Sequence, residues 1–213
     1  MNRREALKQV AVLTAVLAAP ATVLARDASF QVLNPAQPTD APGRIEVVEF
    51  FHYGCSHCRN FDPLLEGWIK KLPPDVVFRR VPAIWNNEQL SGLARLYYTA
   101  EASGDLHALH SGVFVAVQDE KRPLYTEEGV RDWIQGKVAD SKRFMDTYKS
   151  FGVNSMLQRA NQRAAAMKIS GVPTLAINGK YLTSAAMAGS HEAALKQADE
   201  LIVRARAESA APR

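Results

Sequence analysis

The hydrophobic period of this chain changes on either side of a Cys-x-x-Cys pair, and that change narrows the folds open to it. Ile45 to Phe51 (IEVVEFF) is a compact run of β-branched and aromatic residues, the pattern of a buried strand. After Cys58, residues Phe61, Leu64, Leu65, Trp68, Ile69 and Leu72 recur at i, i+3, i+4, i+7, i+8 and i+11, which is one face of a helix. Pro63 inside this pattern predicts a kink, and Pro73-Pro74 predicts the end of the helix. Val76 to Val81 (VVFRRV) reads as a second strand. Strand, helix, strand is a βαβ unit and implies a parallel pair. Cys55 and Cys58 stand at its first junction and are the only two cysteines in 213 residues.

The remaining pattern is helical from about Trp85 to Met167. Leu90, Leu93, Tyr97 and Ala100 mark one helix, and Leu106, Leu109, Val113 and Val117 a second. Val130, Trp133 and Ile134 belong to a short third, with Thr126 as its cap. Phe144, Met145, Tyr148 and Phe151 suggest a fourth, and Val153 to Met167 a long fifth. Gly171-Val172-Pro173 then breaks the pattern. Thr174 to Ile177 and Tyr181 to Thr183 read as a hairpin about Asn178-Gly179, followed by a helix from His191 to Ala207. Arg26 to Arg44 reads as an extended arm with one short strand near Phe30 to Leu33, and residues 208–213 as a disordered tail. The expected fold class is α/β, with residues 26–84 and 169–207 forming one domain and residues 85–168 an α-helical insertion.

The first 25 residues read as an address. Arg3, Arg4 and Lys8 precede an apolar run from Val10 to Ala19, and Val23-Leu24-Ala25 offers a small-residue cleavage site. The run is shorter than the roughly 18 apolar residues of a membrane span. Cleavage after Ala25 and delivery to the periplasm are expected. Arg3-Arg4 also resembles a twin-arginine signal, but a chain needing no cofactor has little reason to fold before export, which favours the Sec route. The formal charge is +4. The leader carries three basic residues and one acidic residue, so the mature chain is about +2 by direct count. No basic stretch interleaved with aromatics is present, so nucleic-acid binding is not expected.

A Cys-x-x-Cys at a strand–helix junction has a specific chemical use. The two-residue spacing lets the sulfurs meet in the first helical turn. The first sulfur then lies beside unpaired backbone N–H groups and the positive end of the helix dipole. Both lower its pKa, and His57 adds a donor or a positive charge. A stabilised thiolate is a good leaving group, so such a disulfide oxidises substrate dithiols. Other readings compete. A structural disulfide across so short a loop constrains little chain. A zinc site needs two more ligands, for which His107 and His110 are the only obvious pair. A c-type haem site needs His after Cys58, where Arg59 stands. Glu49, mid-strand and six residues before Cys55, is a candidate buried carboxylate that relays protons, although a short apolar run does not fix which face is buried. Glu46 is the better candidate for the surface.

The segments VVEFFHYGCSHC (Val47 to Cys58), SGVPT (Ser170 to Thr174) and INGKY (Ile177 to Tyr181), with the helical insertion between them, resemble the DsbA family of thioredoxin-fold disulfide oxidoreductases. The resemblance spans about Phe30 to Ala207. It implies that Cys55 is the exposed nucleophile, Cys58 its buried partner, His57 the thiolate-stabilising histidine and Glu49 the buried acid below them. It implies that Val172 and Pro173 form a cis-proline loop facing the pair and meeting the substrate backbone, and that Pro63 is the kink proline. It further implies exported substrates with free thiols, a DsbB-like membrane quinone reductase as re-oxidant, and no cofactor beyond the redox-active pair. One departure matters: Ser56 stands where typical members carry proline, which would fix φ and lack an N–H, so the family's redox poise is not carried over. The nearest rival is a reductase or isomerase on the same fold. Only about twenty mature residues precede the first main strand, too few for a dimerisation domain, so a monomer is expected. A metal-binding or chaperone-like module is the rival from another class.

Overall fold

The computed structural model describes residues 29–210. The expected leader with its cleavage point, and the last three residues of the expected tail, lie outside them. Five strands form one mixed sheet: β1 (Gln31–Val32), β2 (Ile45–Phe51), β3 (Val76–Pro82), β4 (Thr174–Ile177) and β5 (Tyr181–Thr183), in the order β1-β5-β4-β2-β3. β2 and β3 pair in parallel, as the βαβ reading requires, with α1 (Ser56–Ile69) crossing between them. β4 runs antiparallel to β2, and β5 to β4. The hairpin turns at Asn178 (φ 51°) and Gly179 (φ 65°), both left-handed as a type I′ turn demands. A Cβ on Gly179 would lie 2.0 Å from the Gln37 carbonyl oxygen, so the arm packed there requires glycine.

Between β3 and β4 come α2 (Glu88–Ser103), α3 (Leu106–Gln118), α4 (Glu127–Trp133), α5 (Ser141–Tyr148) and α6 (Phe151–Ala166). The fold class is thus a thioredoxin-like α/β sheet with a helical insertion. Thr126 caps α4 as expected, its hydroxyl accepting from the Gly129 N–H at 3.0 Å. A short helix, α7 (Ala185–Ala188), and the long α8 (His191–Ala210) follow β5.

The sheet has a core on each face. On one, Ile45, Val47, Leu175 and Ile177 pack against Phe61 and Leu65 of α1 and Leu201 and Ile202 of α8. On the other, Val48 and Phe50 pack with the inserted helices through Leu96, Tyr97, Val113 and Phe114. β2 lies between the two, and all seven of its residues are buried.

That double burial corrects one expectation. Glu46 is not a surface residue: it is 1% exposed, with Arg79 Nε at 3.3 Å and a second ion pair to Arg163. Alternation identifies a wet face only when a strand has one, and a central strand does not. Three other expectations shift. Phe151 does not continue the fourth helix but opens α6, where it is 84% exposed. α1, with Pro63 inside it, ends at Ile69, short of Leu72 and Pro73-Pro74. The residues expected to begin a disordered tail extend α8 to Ala210, and Glu208 accepts from Lys180 Nζ at 2.8 Å and the Tyr181 hydroxyl at 2.5 Å. α7 carries too short an apolar pattern to announce itself.

Candidate active site

Chain direction assembles the site. β2 ends at Phe51, and a turn closed by the Cys55 N–H on the His52 carbonyl (3.0 Å) places Cys55 at the N-cap of α1. Cys55 takes an extended backbone (φ −93°, ψ 117°), and its Sγ accepts the Cys58 N–H at 3.3 Å. Ser, Thr, Asp and Asn usually supply that acceptor; here a sulfur does. Because β4 is antiparallel to β2, with Thr174 opposite Phe50, the loop before β4 meets the loop after β2. Pro173, after a cis Val172–Pro173 bond, is therefore brought to the cysteines, and the Val172 carbonyl oxygen lies 3.6 Å from Cys55 Sγ. From the insertion, Gln118 at the end of α3 donates to the Tyr53 carbonyl (2.8 Å) and the Cys55 carbonyl (3.0 Å). Arg59 grips the neighbouring Asp119 with two hydrogen bonds, at 2.6 and 2.7 Å.

Both cysteines are thiols, and their environments differ. Cys58 is fully buried, whereas Cys55 is half-buried. The Cys58 thiol, directed at the Cys55 sulfur, is the main cause that lowers the Cys55 pKa to about 6. Partial burial opposes this, while the N–H groups of Cys58 and His57 and the positive charge of His57 assist. Burial pushes Cys58 the other way, well above the ordinary thiol value, with its role as donor to Cys55 and the Glu49 charge adding to the rise. His57 and Ser56 are exposed in the first turn of α1.

Glu49 is 2% exposed, on the β2 face beneath α1. Burial raises its pKa to about 8 against the pull of Arg80. Arg80 is its register partner on β3 and donates from Nε to Glu49 at 2.9 Å. Its Nη2 donates to Asp62 at 3.1 Å and Glu66 at 2.8 Å, both on α1. His110 of α3 lies 3.2 Å from Asp62 through Nε2 and 2.8 Å from the Tyr53 hydroxyl through Nδ1. Five elements thus meet in one buried polar chain.

A groove of about 450 Å³ runs beside the pair. His57, Val172 and Pro173 line one side, and Ala185, Met187 and His191 another. The structure therefore brings Cys55, Ser56, His57, Cys58, Val172 and Pro173 together, with Glu49 below. It does not present His107 and His110 as a ligand pair: His107 faces solvent and His110 turns inward. Among the described residues no group of three or more His, Cys, Asp or Glu could hold a metal ion. Sequence reasoning missed Arg80, Asp62, Gln118 and His191, and named His110 only as a possible zinc ligand. Arg80 had a signal, a charge in a strand parallel to one carrying Glu49, and Asp62 follows Cys58 by one turn of α1; the others come from helices distant in sequence.

Known proteins resemble this chain. Residues 76–198 match the family model of the DSBA-like thioredoxin domain. The thiol:disulfide interchange protein DsbA of Bordetella parapertussis is 39% identical over 201 residues, 94% of this chain and 95% of that protein. The protein of the same name from Pseudomonas aeruginosa is 41% identical over 179 residues, 82% of each. The crystal structure of Pseudomonas aeruginosa DsbA superposes with a TM-score of 0.82 at 38% identity, covering 85% of this chain and 94% of that one. Near-complete coverage, shared fold and a Cys-x-x-Cys at a helix N-terminus lead to one assignment: the chain belongs to the DsbA family and is a thiol:disulfide oxidoreductase.

Proposed function

We propose that this enzyme works as an oxidase, introducing disulfides into exported proteins that carry free thiols. The observation that carries the reading is the contrast within the pair: an accessible sulfur favoured as thiolate beside a buried one favoured as thiol. A substrate thiolate attacks Cys55 Sγ of the Cys55–Cys58 disulfide. The S–S bond breaks, Cys58 leaves with the electron pair and takes a proton, and a mixed disulfide forms at Cys55. A second substrate thiolate attacks the substrate sulfur of that bond, and Cys55 leaves as the stabilised thiolate. The substrate loses two electrons and the enzyme gains them.

The residues take complementary roles in this reading. His57 and the helix N-terminus hold the Cys55 thiolate. Glu49 holds the proton that the Cys58 sulfur takes up. Val172 and Pro173 meet the substrate backbone, with the apolar groove receiving flanking side chains. Ser56 supplies the N–H that proline would lack. Residues 85–168 form the inserted helical unit, covering one face of the sheet and clamping the Cys55 loop through Gln118. The enzyme is a monomer needing no cofactor, delivered to the periplasm by the segment ending at Ala25. A DsbB-like membrane protein coupled to quinone returns the dithiol to the disulfide. Among the described residues no helix is long and apolar enough to cross a membrane.

Oxidation of a reduced dithiol peptide by the Cys55→Ala variant tests the assignment. All turnover is expected to disappear, and retained oxidation would refute Cys55 as the attacked sulfur.

A further inference from the structure

We propose that His191 is a specificity-determining residue of the exchange reaction: it faces His57 across the groove beside Cys55, and the two imidazoles receive a carboxylate carried by the substrate chain next to its attacking cysteine. The inference deepens the oxidase reading above by naming acidic segments as the preferred substrates, and it rests on that reading.

α1 and α8 set the two rings. His57 and Phe61 are four residues apart on α1, so they share a face. His191 opens α8 and lies against both, its ring centroid 5.0 Å from that of Phe61 and 6.4 Å from that of His57. Phe61 is buried in the core between the sheet and α8, so it gives the His191 ring a fixed floor. His57 is exposed and His191 half-buried. Their planes are nearly perpendicular, at 79°. Among the described residues His110 is the one histidine with a side-chain hydrogen bond or ion pair. The N–H groups of His57 and His191 are therefore free for a ligand.

The surroundings select what that ligand carries. The groove lining holds no acidic residue; beyond the histidines it is apolar, as at Val172, Pro173 and Met187, or hydroxylic, as at Thr174 and Ser184. Glu192, the nearest acid in sequence, lies outside the lining and is held by its own N–H and by Ser190. Ser190 also caps α8 by accepting the Ala193 N–H at 3.0 Å, so the site is the pair of side chains and not the helix terminus. An imidazole N–H donates whether the ring is neutral or charged. A carboxylate has two oxygens and can accept from both rings, whereas a lysine or arginine side chain has only donors to offer. The methylenes of a glutamate suit the apolar wall. In the oxidised enzyme Cys55 is bonded to Cys58 and carries no charge to repel the carboxylate. The groove is continuous with the exchange site, because His57 and Val172 belong to both.

The test compares dithiol peptides that carry Glu, Gln or Lys in turn at each of the three positions on either side of the attacking cysteine. Full-length oxidised protein is mixed with each peptide, with a chelator present so that no metal bridges the rings. The first-step rate constant is expressed per substrate thiolate, because a nearby carboxylate also raises the pKa of the substrate thiol. At one or more positions Glu should exceed Gln by about three- to five-fold, the scale of a partly exposed charge contact, and Lys should fall below Gln. Raising the salt from about 0.02 to about 0.5 M should shrink the Glu-to-Gln ratio. His191→Met, uncharged and of similar bulk, should at least halve the ratio, and His191→Lys should keep it. A ratio unchanged in His191→Met would overturn the inference. So would a wild-type ratio of one at every position, or a ratio that salt leaves unaltered, and these two readings need no variant to fold. If the protein oxidises none of the peptides but its reduced form rapidly reduces their disulfides, the oxidase reading fails; the Glu-to-Gln ratio read in that direction still decides the role of His191.

Discussion

Replacing Cys58 with alanine removes the donor that contributes most to the low pKa of Cys55. A hydrogen bond to a charged acceptor contributes about 1.5–3 kcal/mol. One pH unit corresponds to about 1.4 kcal/mol. Cys55 titrates at about 6 in the intact dithiol, and the loss moves it up by about one to two units. The remaining causes, the two N–H groups and His57, stay in place and keep it below an ordinary thiol. At pH 7 the thiolate fraction then falls from about nine-tenths to between about one-half and one-tenth. Absorbance at 240 nm against pH follows the thiolate directly, because Cys58, when present, titrates far higher. Cys58→Ser, which keeps a donor at the same place, should titrate near the wild type. A Cys58→Ala midpoint equal to the wild type's would refute the reasoning and transfer the stabilisation to the helix terminus and His57.

Other perturbations address separate parts of the account. His57→Ala removes the smallest of the causes that lower Cys55, so its midpoint should rise by less than in Cys58→Ala; a larger rise in the same titration would reverse that order. Glu49 is raised from 4.5 to about 8, so its contribution to stability is fully present below pH 4.5 and is lost as pH rises through 8. Glu49→Gln should therefore gain stability relative to wild type between those values, measured by urea unfolding at a series of pH values; a gap constant with pH would contradict this. Cys55 is depressed, so the stability it gives the reduced protein is complete above pH 9 and lost as pH falls through 6. The melting temperature of the reduced form relative to the oxidised form should fall with pH across that window. A Cβ on Gly92 would lie 2.0 Å from the Tyr125 carbonyl oxygen, so Gly92→Ala should cost about 1–3 kcal/mol in chemical denaturation.

The elements most legible in the sequence are those whose signal is local. The period change around Cys55 and Cys58 placed β2 and α1, and Asn178-Gly179 placed the β4–β5 hairpin, because each depends on residues a few positions apart. The position of Cys55 at a helix N-terminus followed from the same pattern. Glu46 was misread because an isolated strand does not show that both its faces are covered. The polar chain under the site was illegible for a related reason. Arg80 is 31 residues from Glu49, and His110 is 48 from Asp62; only the β2–β3 register and the packing of α3 on α1 bring them together. The groove needed the antiparallel return of β4, which the hairpin alone does not orient against β2.

The central claim is that the low Cys55 pKa makes this pair an oxidant even with Ser56 in place of proline. Equilibrating the purified protein with reduced and oxidised glutathione, and reading the thiol fraction across the ratio, gives its reduction potential. A value well above thioredoxin's roughly −270 mV is expected. A value at or below thioredoxin's would contradict it and make the enzyme a reductase.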